Sequence, residues 1–274
     1  SDCRLCGFCE RVCPVKVPSE FNRGLSDRKA IYITFPQAVP PAYVLDRANC
    51  RHWVDGCDRC LKVCPTKAID FNDEDKLVEE EVGAIVVATG YEVYPAEMLK
   101  EYGYGIYKNV IDSLQFERIL SAGGPTRGMI LRLSDGKPVK RVVFIQCAGS
   151  RDINHLEYCS KICCMYTAKH ALIFKERVPD GEAYVFYIDI RAAGKGYEEF
   201  IKRVQEEFQV NYVRGRVNRV YRDPKTGDII VAGFDTLTGQ TITLRADLVV
   251  LATGLVPQLP QELASKLKIQ LDKY

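Results

Sequence analysis

The sequence lacks any apolar run long enough to cross a membrane. A spanning helix takes about 20 apolar residues, whereas the longest apolar runs here are residues 82–88 and 248–252. The sequence also lacks an excess of charge, because 38 Lys and Arg residues stand against 36 Asp and Glu residues, with no run of five like charges. We therefore expect no membrane insertion and no nucleic-acid partner.

A secretory signal and an initiating Met are absent as well, since the chain opens with Ser1, Asp2 and Cys3. We interpret the chain as a fragment of a longer protein or as a separately encoded part of one. Its 274 residues predict two domains, and its 47% hydrophobic content is sufficient for a packed core. Without a secretory signal we expect a reducing, cytoplasmic location.

The cysteines are the most unusual feature of the composition, because all 12 fall in three groups of four. The first group is Cys3, Cys6, Cys9 and Cys13; the second is Cys50, Cys57, Cys60 and Cys64; the third is Cys147, Cys159, Cys163 and Cys164. Close-set cysteines in fours, in a reducing compartment, favour metal or iron–sulfur ligation over disulfide bonds.

The first two groups have the spacing of ferredoxin-type ligands for 4Fe-4S clusters. The motifs are Cys3-x2-Cys6-x2-Cys9-x3-Cys13-Pro14 and Cys50-x6-Cys57-x2-Cys60-x3-Cys64-Pro65. Iron in such a cluster prefers soft thiolate ligands, and the last cysteine of each motif reaches the cluster of the other motif. The predicted ligand sets are therefore Cys3, Cys6, Cys9 and Cys64 for one cluster, and Cys50, Cys57, Cys60 and Cys13 for the other.

Two alternatives to this assignment remain open. Two structural zinc sites would also use four thiolates each, but they have no use for the third cysteine at x2 spacing or for the following proline. Within the cluster interpretation, Cys50 is the least regularly spaced ligand, and His52 is a possible substitute for it.

The third group matches no ferredoxin spacing. A predicted helix over residues 157–175 would place Cys159 and Cys163 on one face with Cys164 beside them, and Cys147 would end the preceding strand. The amides near the start of that helix would favour negatively charged thiolates. We therefore predict a third cluster here, with a redox-active dithiol of Cys163 and Cys164 as the alternative.

The rest of the pattern predicts alternating strands and helices. Residues 82–90 indicate a buried strand, and residues 113–120 a helix that Ser113 would cap. After residue 140 we expect strands at 142–146, 183–190 and 211–214, helices at 157–175 and 196–208, antiparallel hairpins at 216–221, 228–233 and 241–244, and a closing strand at 246–254. This βαβαβ order is typical of a doubly wound, Rossmann-like parallel sheet.

The closing strand ends in the same Ala-Thr-Gly turn as residues 88–90, and such glycines let backbone approach a bound dinucleotide. We therefore consider Thr89, Gly90, Thr253 and Gly254 as candidate cofactor-binding residues. The usual Gly-x-Gly-x-x-Gly is missing after the first strand, where the sequence is Cys147-Ala-Gly-Ser-Arg-Asp152.

Three motifs carry a resemblance to a known family: Cys147-Ala-Gly-Ser-Arg-Asp152, Tyr158-Cys-Ser-Lys-Ile-Cys-Cys-Met-Tyr166 and Asp189-Ile-Arg-Ala-Ala-Gly-Lys-Gly-Tyr-Glu-Glu-Phe200. Across essentially its whole length, the chain resembles the flavin-containing A subunit of heterodisulfide reductases from methanogens and other anaerobes. The resemblance implies a thioredoxin-reductase-like flavoprotein with an inserted two-cluster ferredoxin module, and it assigns the third cysteine group to a further cluster.

The resemblance also implies FAD that bifurcates electron pairs between ferredoxin and a disulfide acceptor. The family's amino-terminal FAD fingerprint is absent here, so the turns at Thr89-Gly90 and Thr253-Gly254 would supply only one wall of a flavin site. Lys169 would place a cation near a flavin or a cluster, or would simply lie on a helix surface. The implied partners are other oxidoreductase subunits and ferredoxin, in an oligomeric complex.

These observations predict an α/β protein with a small ferredoxin-like α+β domain. The predicted divisions are a two-cluster ferredoxin-like domain at 1–75, part of a FAD-type domain with its connector at 76–140, a Rossmann-like NAD-type domain with the third cluster at 141–254, and a return to the FAD-type domain at 255–274. The predicted function is electron transfer through 4Fe-4S clusters between a flavin and partner subunits. The alternatives are a disulfide oxidoreductase and a zinc-stabilised interaction module.

Overall fold

The computed structural model describes residues 2–272, so Ser1 and the last two positions of the predicted 255–274 segment lie outside the described residues. The chain divides into two compact units. The first unit extends to Ile85 and includes Ser121–Gly128; the second comprises Val86–Leu120 and the chain from Met129 onward. Over residues 2–272, no helix is long and apolar enough to cross a membrane.

The first unit consists of very short elements. Its helices are α1 (Phe8–Val12), α2 (His52–Asp55) and α3 (Arg59–Val63), and its strands are β1 (Val17–Pro18), β2 (Asp27–Arg28), β3 (Ile31–Tyr32) and β4 (Val44–Leu45). Strand β1 pairs antiparallel with β2, and β3 pairs antiparallel with β4. Helices α1 and α3 pack against each other. The small core holds buried Cys9, Ile31 and Cys60, with Tyr43 and Phe71 packed against it.

Helices α1 and α3 show how the two ferredoxin-type motifs fold alike. Each helix contains the third cysteine of its motif and ends where the fourth, Cys13 or Cys64, takes an extended backbone. The next residue is Pro14 or Pro65, and a proline disfavours helical backbone in the residue before it. The proline therefore ends each helix at the last cysteine of its motif.

The second unit is built around a parallel sheet. Its strands are β5 (Tyr91–Val93), β6 (Val110–Asp112), β7 (Arg141–Ala148), β8 (Glu182–Tyr187), β9 (Asn211–Arg214), β10 (Val217–Arg222), β11 (Ile229–Asp235), β12 (Gln240–Ala246), β13 (Leu248–Thr253) and β14 (Leu255–Pro257). Its helices are α4 (Ser113–Leu120), α5 (Cys163–Arg177), α6 (Tyr197–Glu206) and α7 (Gln261–Lys266), with 3₁₀ turns at Ala96–Met98 and Lys100–Tyr102.

Five strands form the main sheet in the order β6-β13-β7-β8-β9, and all neighbours in it are parallel. Every residue of β13 is buried, as expected for a strand between parallel neighbours in a covered sheet. Strands β10, β11 and β12 form an antiparallel sheet, and β5 pairs antiparallel with β14. The predicted doubly wound α/β architecture is therefore confirmed.

The predicted buried strand at residues 82–90 is wrong. The segment is irregular and mostly exposed, with Val86 90% and Ile85 62% exposed. An apolar run becomes a buried strand only when neighbours pair with its backbone. No strand in the described part of the chain pairs with this segment, whereas its repeat, β13, lies between β6 and β7.

The start of one helix and the capping residue of another differ from the prediction. Helix α5 begins at Cys163 rather than residue 157, because the preceding segment is tied to β14: the Tyr158 hydroxyl donates to the Leu255 carbonyl, and the Leu255 amide donates to Ser160 Oγ. Helix α4 is capped by Asp112 rather than Ser113. The Asp112 carboxylate accepts from the Gln115 amide at 2.7 Å, and Gln115 Oε1 accepts from the Asp112 amide at 3.0 Å, which forms a capping box.

Candidate functional site

The first unit contains a cavity of about 750 Å³ next to the first cysteine motif. The cysteines that line it are Cys3, Cys6, Cys9 and Cys64. Three of these belong to the first motif and one to the second, so the cavity combines the two motifs.

A second, smaller cavity lies in the same unit. The cysteines that line it are Cys13, Cys50, Cys57 and Cys60. The structure thus brings the eight cysteines together in the two predicted sets, with the last cysteine of each motif in the other motif's cavity. The packing of α1 against α3 explains the exchange, because each helix ends beside the opposite motif.

Burial and backbone amides act differently on these thiols. Burial raises the pKa of Cys60 to about 11, and it also raises the pKa of Cys9. Burial acts in the same direction on Cys64, but hydrogen bonds, including one from the Ala68 amide at 3.4 Å, lower its pKa overall. A raised pKa keeps a thiol protonated near neutral pH, so metal binding at Cys9 and Cys60 must displace a proton.

The side chain of His52 is occupied by other contacts. Its Nδ1 lies 3.2 Å from the Cys57 carbonyl oxygen, and its ring stacks on Phe71 with the ring centroids 3.7 Å apart. The backbone N–H of His52 donates to Cys50 Sγ at 3.5 Å. Cys50 lines the second cavity, and His52 is placed to support this thiol rather than to replace it.

Across residues 2–272, no three His, Cys, Asp or Glu side chains converge closely enough to hold a single metal ion. A four-iron cluster needs space between its thiolates, and the first cavity, of about 750 Å³, supplies it beside four cysteines, whereas the second cavity is only about 20 Å³. The soft donor set fits a 4Fe-4S cluster at both places, and the space fits one in the first cavity.

The third cysteine group lies at the carboxyl edge of the parallel sheet. Cys147 is near the carboxyl end of strand β7, and Cys163 and Cys164 begin helix α5. Cys159 is in the loop before α5, so the predicted helical face for it is wrong. Burial raises the pKa of Cys163, and Cys147, Cys164 and Cys159 act on it in the same direction, so the four thiols lie within electrostatic range of one another.

Cys147 has a backbone φ of 56°, which is uncommon for a residue other than glycine. Burial raises its pKa, and the Arg151 guanidinium opposes this effect. Arg151 Nη1 also binds Asp189 Oδ1 at 2.5 Å. Strained backbone of this kind is concentrated at functional sites, where surrounding structure holds it in place.

The dithiol alternative is poorly supported by these thiols. Burial raises the pKa of Cys163 to about 12 and also raises the pKa of Cys164. A dithiol catalyst needs a thiolate near neutral pH, which usually requires a lowered pKa. Cys163 and Cys164 are therefore better suited to metal ligation, which removes the proton directly.

The two Ala-Thr-Gly turns lie at opposite ends of the ribbon formed by β5 and β14. Gly90 accepts a hydrogen bond from the Gln258 amide, and Gly254 accepts one from the Tyr94 amide. A Cβ on Gly254 would lie 2.7 Å from Leu156 and 3.2 Å from Ser150. The absence of a side chain at Gly254 therefore lets these two side chains pack closely against its backbone. The two turns are therefore separated by the length of this three-residue ribbon.

Lys169 binds the side chain of Glu117 with its ammonium group, at 2.5 Å. The same carboxylate lies 2.5 Å from Nε2 of the buried His170. The hydrogen bond with His170, together with that from Lys169, lowers the pKa of Glu117 to about 2. The positive charge of Lys169 is thus paired with a carboxylate within the second unit.

Sequence reasoning missed Gln146, a buried residue beside Cys164. The Cys164 thiol donates to Gln146 Oε1 at 3.6 Å. The sequence does contain a signal for this role, namely a polar residue at the end of the apolar run of β7. Such a residue is expected to have a specific partner, because buried polar side chains usually do.

The fold and the cysteine sites define an iron–sulfur protein with a Rossmann-like second unit. The sequence profile of the 4Fe-4S dicluster domain matches residues 2–68. The chain is 47% identical to the iron-sulfur A subunit of the CoB--CoM heterodisulfide reductase of Methanocaldococcus jannaschii over 257 residues, which are 93% of this chain and 38% of that protein. It is 48% identical to one such A subunit of Methanopyrus kandleri over 269 residues, 97% of this chain and 40% of that protein.

Over the part it covers, the chain belongs to the family of heterodisulfide reductase A subunits. It spans about two fifths of the length of these relatives. Among solved structures, T. acidophilum thioredoxin reductase is similar with 20% identity and a TM-score of 0.39, covering 67% of this chain and 47% of that one. No functional conclusion follows from a structural similarity this low.

Proposed function

We propose that this chain is an electron-transfer module that passes single electrons through 4Fe-4S clusters between a flavin and partner subunits. The observation that carries the proposal is the division of eight cysteines between two cavities, each combining both motifs. This exchange is typical of two-cluster ferredoxins. Two separate zinc sites would not require the motifs to exchange their last cysteines.

The ligand assignment follows from the placement of the thiols. Cys3, Cys6, Cys9 and Cys64 would hold one cluster; Cys13, Cys50, Cys57 and Cys60 the second; Cys147, Cys159, Cys163 and Cys164 a third. Each cluster, when bound, accepts and releases one electron. The chain's own contribution is to bury the thiols and to donate amide hydrogen bonds to sulfur, as Ala68 does to Cys64.

The predicted divisions at 1–75, 76–140, 141–254 and 255–274 form part of this proposal. Residues 1–75 would be the ferredoxin-like domain, and residues 141–254 would carry the third cluster. The flanking segments would belong to a flavin-binding domain of a longer protein. FAD would be held mainly by parts of that protein beyond this chain, with Thr89, Gly90, Thr253 and Gly254 supplying one wall of its site.

The names of relatives suggest the partners. One relative is the A subunit of the ferredoxin:CoB-CoM heterodisulfide reductase of Methanosarcina acetivorans, which is 40% identical over an alignment of 301 positions that covers 99% of this chain and 37% of that protein. We therefore propose ferredoxin and other heterodisulfide reductase subunits as electron partners in an oligomeric complex. A cytoplasmic location is part of the same proposal.

The proposal is tested by measuring iron, acid-labile sulfide, zinc and flavin per chain in anaerobically prepared protein. About twelve irons with matching sulfide would support three clusters, and about eight would leave the third group as thiols. Zinc without sulfide would overturn the electron-transfer proposal. Flavin in this chain alone would contradict the proposed dependence on further sequence.

A further inference from the structure

Gln146 has an unused hydrogen-bond donor next to the third cysteine group. Its side chain is 6% exposed, and over residues 2–272 its amide nitrogen Nε2 is buried without a partner. Its oxygen Oε1 accepts the proton of the Cys164 thiol at 3.6 Å. A buried amide with only its oxygen satisfied is unfavourable, and such a group calls for an explanation.

Metal ligation of Cys164 removes the thiol proton that Gln146 Oε1 accepts in this contact. A ligating Cys164 is a thiolate and has no proton to give to Gln146 Oε1. The oxygen would then face the negative sulfur with nothing between them. A half-turn of the amide about its last torsion exchanges Oε1 and Nε2, so that an N–H group faces the sulfur instead.

We propose that Gln146 donates an N–H hydrogen bond to the sulfur of Cys164 in the loaded protein and thereby raises the reduction potential of the third cluster. This inference rests on the proposed third cluster. A hydrogen bond to sulfur stabilises the more negative, reduced state more than the oxidised state. Gln146 is a positioning residue that sets the potential rather than a ligand.

The surroundings of Cys164 support this role. The Arg191 amide already donates to its sulfur at 3.4 Å, while the Asp189 carbonyl lies 3.7 Å away and can only accept. The N–H of Gln146 would be a second donor to the same atom. Gln146 lies in β7 and Cys164 lies at the start of α5, and the packing of α5 against β7 brings the two side chains together.

In the first unit, the corresponding contacts come mainly from backbone amides. His52 and Ala68 donate backbone N–H groups to Cys50 and Cys64. A backbone donor is difficult to remove by substitution, whereas Gln146 can be replaced. The contact between Gln146 and Cys164 is therefore one that a single side-chain substitution can remove.

The test is a redox titration of the complete chain with its clusters, followed by electron paramagnetic resonance. Gln146→Met keeps the length of the side chain without a donor, and Gln146→Glu adds a negative charge. We expect the midpoint potential of the third cluster to fall in both variants, more in Gln146→Glu, while the other two clusters stay unchanged. Gln240→Met, at an exposed position of β12, is the matched control and should change no potential.

A spectroscopic measurement on the wild-type protein tests the hydrogen bond directly, so it does not require a variant that folds. In wild-type protein labelled with ¹⁵N-glutamine, electron–nuclear double resonance of the reduced third cluster should show a coupling to amide nitrogen. No such coupling, or unchanged potentials in variants that keep about twelve irons, would overturn the role of Gln146 alone. About eight irons in the wild-type protein would instead overturn the third cluster, and the inference with it.

Discussion

The two units of the chain are stabilised in different ways. In the first unit, helices of four or five residues and strands of two surround a core in which two of the three buried residues are cysteines. In the second unit, the parallel sheet buries large side chains such as Phe116, Phe144, Phe174 and Phe186. The comparison indicates that the first unit depends on its clusters for folding, because it has little apolar surface to bury.

The thiols also have different structural roles in the two units. Cys9 and Cys60 form part of the core of the first unit. Cys163 and Cys164 are buried too, but the second unit also buries many large apolar side chains besides them. Loss of a cluster should therefore unfold the first unit while leaving the second folded.

The largest expected effect comes from disrupting a cluster in the first unit. Cys6→Ala should bleach one cluster and destabilise the whole unit, since ligation supplies much of its folding free energy. Hydrogen exchange should show loss of protection in α1 and α3 with none in β7 or β13. Cys163→Ala is the control that should lose one cluster and keep both units protected. Native protection of the first unit in the Cys6→Ala apoprotein would contradict the comparison.

The second-largest effect is expected from a substitution that destabilises the core of the second unit and leaves the first unit unchanged. Phe144 is 1% exposed, and Phe144→Ala should lower the free energy of unfolding by about 3–5 kcal/mol. Denaturant unfolding followed by far-ultraviolet circular dichroism measures the loss, and visible absorption reports the clusters of the first unit. Simultaneous loss of these clusters would show that the first unit does not fold independently.

A smaller effect is expected at the cap of α4. Asp112→Ala removes the acceptor for the Gln115 amide and should cost about 1 kcal/mol in the second unit. Asp112→Asn keeps an acceptor oxygen and should cost less than Asp112→Ala. The same denaturant titration compares the two variants, and equal losses would argue against a capping role.

The smallest effect is a pH dependence confined to the second unit. Burial lowers the pKa of His170 from its ordinary value of 6.5, so this side chain is neutral when folded and donates Nε2–H to Glu117. The unfolded chain then binds more protons below about pH 6.5, and stability should fall as the pH drops from there toward the lower, folded pKa. The groups that face His170 are Glu117, Lys169, Tyr166, Phe116 and Phe144.

Thermal unfolding of the second unit, followed from about pH 7.5 to about pH 5.5, measures this dependence, because this range lies on both sides of the ordinary histidine pKa of about 6.5. His170→Gln should flatten it, because glutamine does not titrate. An unchanged slope in that variant would assign the dependence to other groups. The first unit should show no comparable change in the same variant.

Much of the architecture was predictable from local patterns. Apolar runs within an alternation of strands and helices predicted β7, β8, β9 and β13, and the turn residues predicted the hairpins that join β10, β11 and β12. The proline after each ferredoxin-type motif explains where α1 and α3 end. These features depend on backbone preferences within a few residues, which a sequence displays directly.

Other features depended on contacts between distant segments. Residues 82–90 and 246–254 share the same apolar pattern, but only the second has neighbouring strands in the described chain. Cys159 reaches the third group through a loop held by β14, which helical periodicity could not reveal. Gly254 likewise faces Leu156 and Ser150 rather than open space.

The order of amino acids was enough to identify the residues that can ligate metal, the spacing of the motifs and the stretches that favour strands or helices, because these are properties of neighbouring residues. The folded chain was needed to show which apolar run is buried, where Gln146 lies relative to Cys164, and where the two Ala-Thr-Gly turns lie along the ribbon of β5 and β14. Burial and hydrogen-bond partners arise from segments far apart in the chain, and the packing that joins them is not encoded in any single local pattern.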